Sequence, residues 1–371
     1  MKWMEFLRQI SRFLVGIVFV FSGFTKGVDP WGTVFQFEDY MIAYGTEWAV
    51  PMALIGTVIL CTIEFTIGVA LLLNFKMNIT RWALLIIMVF FTIVTLIDAL
   101  TNLVSDCGCF GEAIILTNWQ TFYKNVVLMV FTLIIFFTHR YSHSSFYTKA
   151  QSTMAVITLL VFSGFTVYSF NRLPLVDFLG WEKGKDLVPD DTGKPVAYLI
   201  YKNKTTGEEK KMLSGDLPWQ DSVWMSQWEY VSTEVDDTGI KKAHGLQILD
   251  STGLDVTEFY LENPSYQLIL VSHDLEKANK KALEGMVRFC DEATHDNLSF
   301  ILLTGSLQEE IERFRVQSGA HFEIFNADDI ILKMMIRSNP GLILLKDGII
   351  IDKWHYHNFP EYRDIKNLYL Q

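Results

Sequence analysis

The sequence predicts a membrane-embedded α-helical bundle followed by a β-rich region and an α/β domain. Three observations carry that prediction. Half of the 371 residues are hydrophobic, with 28 Phe and a mean hydropathy of +0.23, too apolar for a soluble chain of this length. The apolar residues gather into long runs before residue 171, and after Pro264 the pattern changes to short apolar runs alternating with amphipathic ones. Charge divides in the same way: residues 1–171 hold 9 Lys and Arg against 9 Asp and Glu, so the remaining 22 against 33 carry the whole net charge of −11. Such acidity speaks against nucleic acid as a partner and against a basic, lipid-reading surface.

Five runs suit helices crossing about 30 Å of hydrocarbon: roughly Ile10–Phe24, Trp48–Leu73, Trp82–Val104, Phe122–Thr138 and Thr153–Phe170. The first follows Lys2, Arg8 and Arg12, but Ser22-Gly23-Phe24-Thr25-Lys26 offers no small-residue cleavage site, so it reads as a retained helix. Residues 1–145 then form a four-helix domain, and 146–171 a fifth crossing. Lys2, Arg8, Arg12, Lys76, Arg81, Arg140 and Lys149 fall in one set of loops, while the other set is poor in cations. This distribution places the amino terminus in the cytoplasm and the carboxyl half in the periplasm of a bacterial inner membrane. Cys107 and Cys109 share that outer side, where disulfides persist.

A polar linker spans 172–195, and a β-rich subdomain occupies 196–264, with an apolar Ala197–Tyr201, a turn at Lys204-Thr-Thr-Gly207, and Trp219, Trp224 and Trp228. Over 265–371 the expected order is strand Tyr266–Ser272, helix Leu275–Thr294, strand Leu298–Thr304, helix Leu307–Val316, strand His321–Phe325, helix Asp328–Ile336, a hairpin of Gly341–Leu345 and Ile349–Trp354 turning at Asp347-Gly348, and a last helix from Glu361. With Asn339-Pro340-Gly341 leading into the hairpin, this order resembles the thioredoxin fold. The resemblance implies a cis Pro340 and a peptide-binding edge at Asn339 and Pro340. The departure is at the end of the first core strand, where Ser272-His273-Asp274-Leu275-Glu276 stands in place of Cys-x-x-Cys. Cys290 falls on the apolar face of its helix with Leu283 and Met286, as a packing residue would.

The candidate chemistry lies in Asp106-Cys107-Gly108-Cys109-Phe110-Gly111, which holds two of the four cysteines. Two cysteines around one glycine suit a redox pair, a small structural disulfide, or, with further ligands, a metal; the loop alone supplies too few ligands, and no metal is expected. His355 and His357 on a strand would point one way. Glu64, three residues past Cys61, and Asp98 are ionisable residues inside apolar runs, and such groups mark either function or interhelical pairing, here with Arg12 or Lys26.

Arg12-x-x-x-Gly16-x-x-Phe19-x-x-Ser22-Gly23-x-x-Lys26, Glu64-x-x-x-Gly68, the cysteine loop and Trp119-Gln120-Thr121-Phe122-Tyr123-Lys124-Asn125 are together similar to the DoxX family and its MauE (methylamine utilisation) branch, over about residues 5–140. The whole chain resembles a Bacteroidota-type fusion of that module to a thioredoxin-like domain. The resemblance implies a part in disulfide maturation of exported proteins, with Cys107 and Cys109 exchanging and Lys26, Glu64 and Asp98 as intramembrane polar residues beneath them. Exported or envelope proteins are then the partners. No cofactor is evident, a quinone being the one that such a relay would admit. The competing class is a non-enzymatic subunit or scaffold of an envelope membrane complex, binding polypeptide through the Pro340 edge. No nucleotide loop, hydrolase elbow or metalloprotease motif is legible.

Overall fold

The computed structural model describes residues 2–104, 108–138, 148–188, 196–204, 206–213, 224, 227–236 and 245–370. The chain divides into two units. One is Met1–Glu182 with Met334–Ser338 and Trp354–Phe359, and the other is Lys183–Lys333 with Asn339–Lys353 and Pro360–Gln371.

Six helices of the first unit are α1 (Lys2–Val28), α2 (Pro30–Ala43), α3 (Ala53–Leu73), α4 (Met77–Thr101), α5 (Asn118–Phe137) and α6 (Thr148–Ser169). Among the described residues, five segments are long and apolar enough to cross a membrane: Trp3–Val28, Glu47–Leu73, Met77–Thr101, Asn118–Phe137 and Lys149–Ser169. Hydropathy located each of them and placed the ends of the second to within a residue, but began the others several residues late. A helix continues through polar residues as long as its backbone bonds are made, so α1 extends well beyond the expected Ile10–Phe24.

Val15 and Phe19 of α1, Ile67 and Leu71 of α3, Leu84 and Met88 of α4, and Leu128 and Ile135 of α5 form one buried core. The α1–α3 contact is a backbone approach. A Cβ on Gly68 would lie 2.5 Å from Val20 N, and one on Gly23 would lie 2.7 Å from Phe65 N. With no hydrophobic drive between helices in lipid, small residues that permit such contact supply the attraction by dispersion. The α6 helix packs along α3, with the Phe65 and Phe162 rings stacked 4.0 Å apart and Thr62 Oγ1 3.1 Å from Ser163 Oγ.

The sequence reading had no helix between the first two spans. Asp29 caps α2 by accepting from Gly32 N at 3.2 Å, and Pro30 starts the first turn, which are both start signals legible in the chain. Between α4 and α5 runs a short extended segment, β1 (Cys109–Glu112). The α5 helix then opens on a capping box: Thr117 Oγ1 accepts from Gln120 N, and Gln120 Oε1 accepts from Thr117 N.

The second unit begins with an antiparallel sheet of β2 (Val196–Asn203), β3 (Glu209–Leu213) and β4 (Trp228–Asp236), with β2 in the centre. Gly207 at φ +73 makes the expected turn, donating from its N–H to Asn203 O at 2.9 Å. Trp219 lies outside the described residues, whereas Trp224 and Trp228 stack 5.6 Å apart.

Five further strands are β5 (Tyr266–Ser272), β6 (Ser299–Thr304), β7 (Glu323–Asn326), β8 (Gly341–Lys346) and β9 (Ile349–His355), in the spatial order β7-β6-β5-β8-β9. β6 runs parallel to both β5 and β7, and β8 runs antiparallel to β5. Leu268 through Val271, Ile301 through Leu303 and Leu342 through Leu344 are fully buried, as continuous apolar strands covered on both faces must be. Asp347 at φ +49 and Gly348 at φ +75 form the two-residue turn that joins β8 to β9. The helix expected from Leu275 starts at Lys280 instead. Asp274 Oδ1 accepts from Glu276 N and Lys277 N, which holds a turn there, and Asn279 Oδ1 caps the helix at Ala282 N. That helix buries Leu283, Met286, Phe289, Cys290 and Ala293 at helical spacing.

Candidate functional site

The first unit gathers polar side chains from α1 and α3 below β1. Ser22 and Lys26 stand one turn apart on α1, and Glu64 faces them from α3. Lys26 Nζ donates to Glu64 Oε1 and Oε2, both at 2.9 Å, and to Ser22 Oγ at 3.0 Å. The Lys26 and Glu64 side chains are only 5% and 1% exposed. Two charges so far from water persist by holding each other. Of the pairing partners expected for Glu64, the structure selects Lys26. Cys61, one turn before Glu64, is fully buried.

Cys109 is a half-buried free thiol, and its carbonyl oxygen lies 2.5 Å from Ser22 Oγ. Gly108 and Gly111 both have φ +54, and a Cβ on Gly108 would overlap the Gln36 side chain, so the cysteine segment follows a path that only glycine allows. Gly111 N donates to Gly108 O at 2.9 Å, and Lys124 Nζ sits 4.2 Å from the Phe110 ring centre. Ser22, Glu64, Cys109, Lys124 and Asn125 border a cavity of about 20 Å³, room for one water molecule. Cys107 lies outside the described residues.

Asp98 stands apart from this group. It is fully buried on α4, and its Oδ2 accepts from Tyr40 Oη on α2 at 2.6 Å.

A second ionic cluster was not foreseen from sequence. Arg337, in the Met334–Ser338 segment of the same unit, has a side chain 4% exposed. Its Nε donates to Asp29 Oδ2 at 2.9 Å, as does its Nη2, and Nη2 lies 3.4 Å from Glu112 Oε1 on β1. The guanidinium also lies over the Phe35 ring at 5.5 Å. Asp29 therefore caps α2 and binds Arg337 at once. Nothing in local sequence joins positions 308 residues apart.

Asn339 and Pro340 meet through a cis peptide bond. The Asn339 side chain is engaged within its own unit: Oδ1 accepts from Ser272 Oγ at 2.7 Å and Nδ2 donates to Asp274 O at 2.8 Å. Pro340 is buried and Asn339 half-buried.

The histidines depart from the expected strand geometry. β9 ends at His355, and Tyr356–Asn358 is a 3-10 turn, so His357 folds back to stack on His355 with ring centres 4.9 Å apart. Burial, then the neighbouring His357 and Arg172, push the His355 imidazole down to about 4. Burial and Lys333 do the same to His273, also to about 4. Both rings are thus neutral in the fold while an unfolded chain takes up protons near the usual 6.5. Stability is accordingly expected to be unaffected by these groups above pH 6.5 and to fall as pH drops from 6.5 towards about 4. Unfolding midpoints followed through that window, with His355→Gln and His273→Gln each flattening the decline, check the assignment.

The helices, the buried pair and the half-buried cysteine agree with one comparison. Residues 4–138 match the family model of the methylamine utilisation protein MauE. No curated protein and no solved structure matches the chain. The MauE match covers α1 through α5, and so includes Ser22, Lys26, Glu64, Asp98 and the cysteine segment, while Arg337 falls beyond it.

Proposed function

We propose that this MauE-like membrane protein supports thiol–disulfide electron transfer, or oxidation of exported proteins, through Cys107 and Cys109. The observation that carries the reading is Cys109: a free thiol on a glycine-shaped segment, whose carbonyl accepts from Ser22, the hydroxyl that also meets the buried Lys26–Glu64 pair. Chemically, one cysteine thiolate bonds to a sulfur of a partner disulfide while the partner's other sulfur leaves as thiolate. The second cysteine then displaces the first partner sulfur, leaving a Cys107–Cys109 disulfide and a partner dithiol that holds the two protons. The reverse sequence oxidises the partner. The loop charges favour a cytoplasmic amino terminus and a periplasmic carboxyl half in an inner membrane. A quinone is the cofactor class such a relay would admit, but the cavity bordered by Ser22, Glu64 and Cys109 takes one water molecule and Asp98 stands apart from it, so no step is routed through a quinone. The DoxX likeness of the spaced glycines and Lys26 supports the same module assignment.

A second reading has its own observation. The strand order β7-β6-β5-β8-β9, with Asn339 and Pro340 leading into β8, supports a thioredoxin-like domain, and Ser272-His273-Asp274 at the end of β5 leaves it without cysteines there. Such a domain suits a non-enzymatic scaffold of an envelope complex that binds polypeptide at Asn339 and Pro340. Thiol trapping in intact cells separates the two. Exchange predicts mixed disulfides with exported proteins in Cys107→Ser or Cys109→Ser and none in the double variant. Mixed disulfides absent from every variant leave the scaffold.

A further inference from the structure

Three groups crowd the Ser22 hydroxyl. Lys26 Nζ donates to Oγ at 3.0 Å, and two oxygens lie within reach of the hydroxyl hydrogen, Glu64 Oε2 at 2.8 Å and Cys109 O at 2.5 Å. Serine has one hydrogen to give. The Cys109 carbonyl can only accept, and a carboxylate held by a lysine also accepts, so the two oxygens compete for the same hydrogen. Glu64 has Lys26 as an alternative donor to both of its oxygens.

We propose that Ser22 is a positioning residue that couples the Lys26–Glu64 pair to the cysteine segment, its single hydrogen serving either the Glu64 carboxylate or the Cys109 carbonyl. With the hydrogen on Cys109 O, the β1 end is fixed to α1 and the thiol is held half-buried. With the hydrogen turned to Glu64, the carbonyl is released and the segment is free to bring Sγ to an incoming disulfide. The ionic pair thereby regulates when Cys109 presents itself. The proposal rests on the exchange reading for its biological meaning, but its geometry is readable without it.

The test uses the full chain in lipid nanodiscs carrying Cys107→Ser, with 5,5′-dithiobis(2-nitrobenzoate) as the probe. Cys109 thiolate attacks the reagent's disulfide and forms a mixed disulfide, one aryl thiolate is released and absorbs, and the thiol proton goes to buffer. Cys61 and Cys290 are buried and report unfolding if they react. Ser22→Ala is expected to raise the Cys109 rate about fivefold, the effect of one lost hydrogen bond, while Ser22→Thr keeps the wild-type rate. Glu64→Gln is expected to change the rate in the Ser22 background and to have no further effect in Ser22→Ala, since the coupling passes through the hydroxyl. Equal rates in Ser22→Ala and wild type, or equal changes in Ser22→Ala and Ser22→Thr, overturn the proposal. If Ser22→Ala exposes Cys61, Glu64→Gln alone decides: a changed Cys109 rate with Cys61 protected supports the coupling, and an unchanged one overturns it. Failure of the exchange reading shows separately, as the absence of mixed disulfides with exported proteins in cells.

Discussion

Replacing Glu64 with alanine is expected to destabilise the MauE-like module by about 3–5 kcal/mol, the cost of leaving a buried charge without its partner. Lys26 is 5% exposed and receives from Glu64 the acceptors for its bonds, with Ser22 Oγ as a weaker third. Protection of Cys61 against a thiol reagent in rising denaturant measures the loss, because that sulfur lies one turn from Glu64 and is fully buried. The double variant Lys26→Met/Glu64→Leu should lose much less, since removing both charges also removes both desolvation penalties. Equal loss in the single and double variants would mean that packing, not charge, holds the site.

Arg337→Met is expected to be of similar size, about 3–5 kcal/mol, for the same physical reason. Asp29, 6% exposed, loses a donor that meets it through two nitrogens, and Glu112 loses its contact from β1. Its capping bond to Gly32 N remains, so α2 should loosen at its start without unfolding along its length. Faster amide exchange over residues 31–35, with α4 unchanged, is the expected result. Arg337→Lys should recover only part of the loss, because a single ammonium cannot reproduce the two-nitrogen geometry.

How much of this was legible in the sequence depends on the range of the interaction. Apolar runs showed the five spans, and the period change after Pro264 showed the second sheet with β5 placed to the residue, because a strand covered on both faces is apolar without interruption. Glu64 stood out as an ionisable residue within an apolar run, and Lys26, just past the first run, stood beside Arg12 as a candidate partner. That they pair with each other follows only from the backbone contact of α1 and α3, which Gly23 and Gly68 allow and no local pattern specifies. Ser22 stands in the motif similar to DoxX without a role that the sequence assigns, and no pattern around Arg337 points to Asp29. The α2 helix was missed although Asp29 and Pro30 announce it, since a short amphipathic run between two spans reads as loop when only hydropathy is weighed.

The close fit of α1 on α3 has a mechanical consequence. A contact made backbone to backbone through two glycines leaves no room for even a Cβ at Gly23 or Gly68, so the main chains of the two helices pack directly on one another. Ser22, Lys26 and Glu64 are therefore mounted on one stiff board, and their mutual spacing is fixed by the helices that carry them. Under the proposed exchange, the motion falls on the other side of the Ser22 hydrogen bond, in the short glycine-punctuated stretch that bears Cys109.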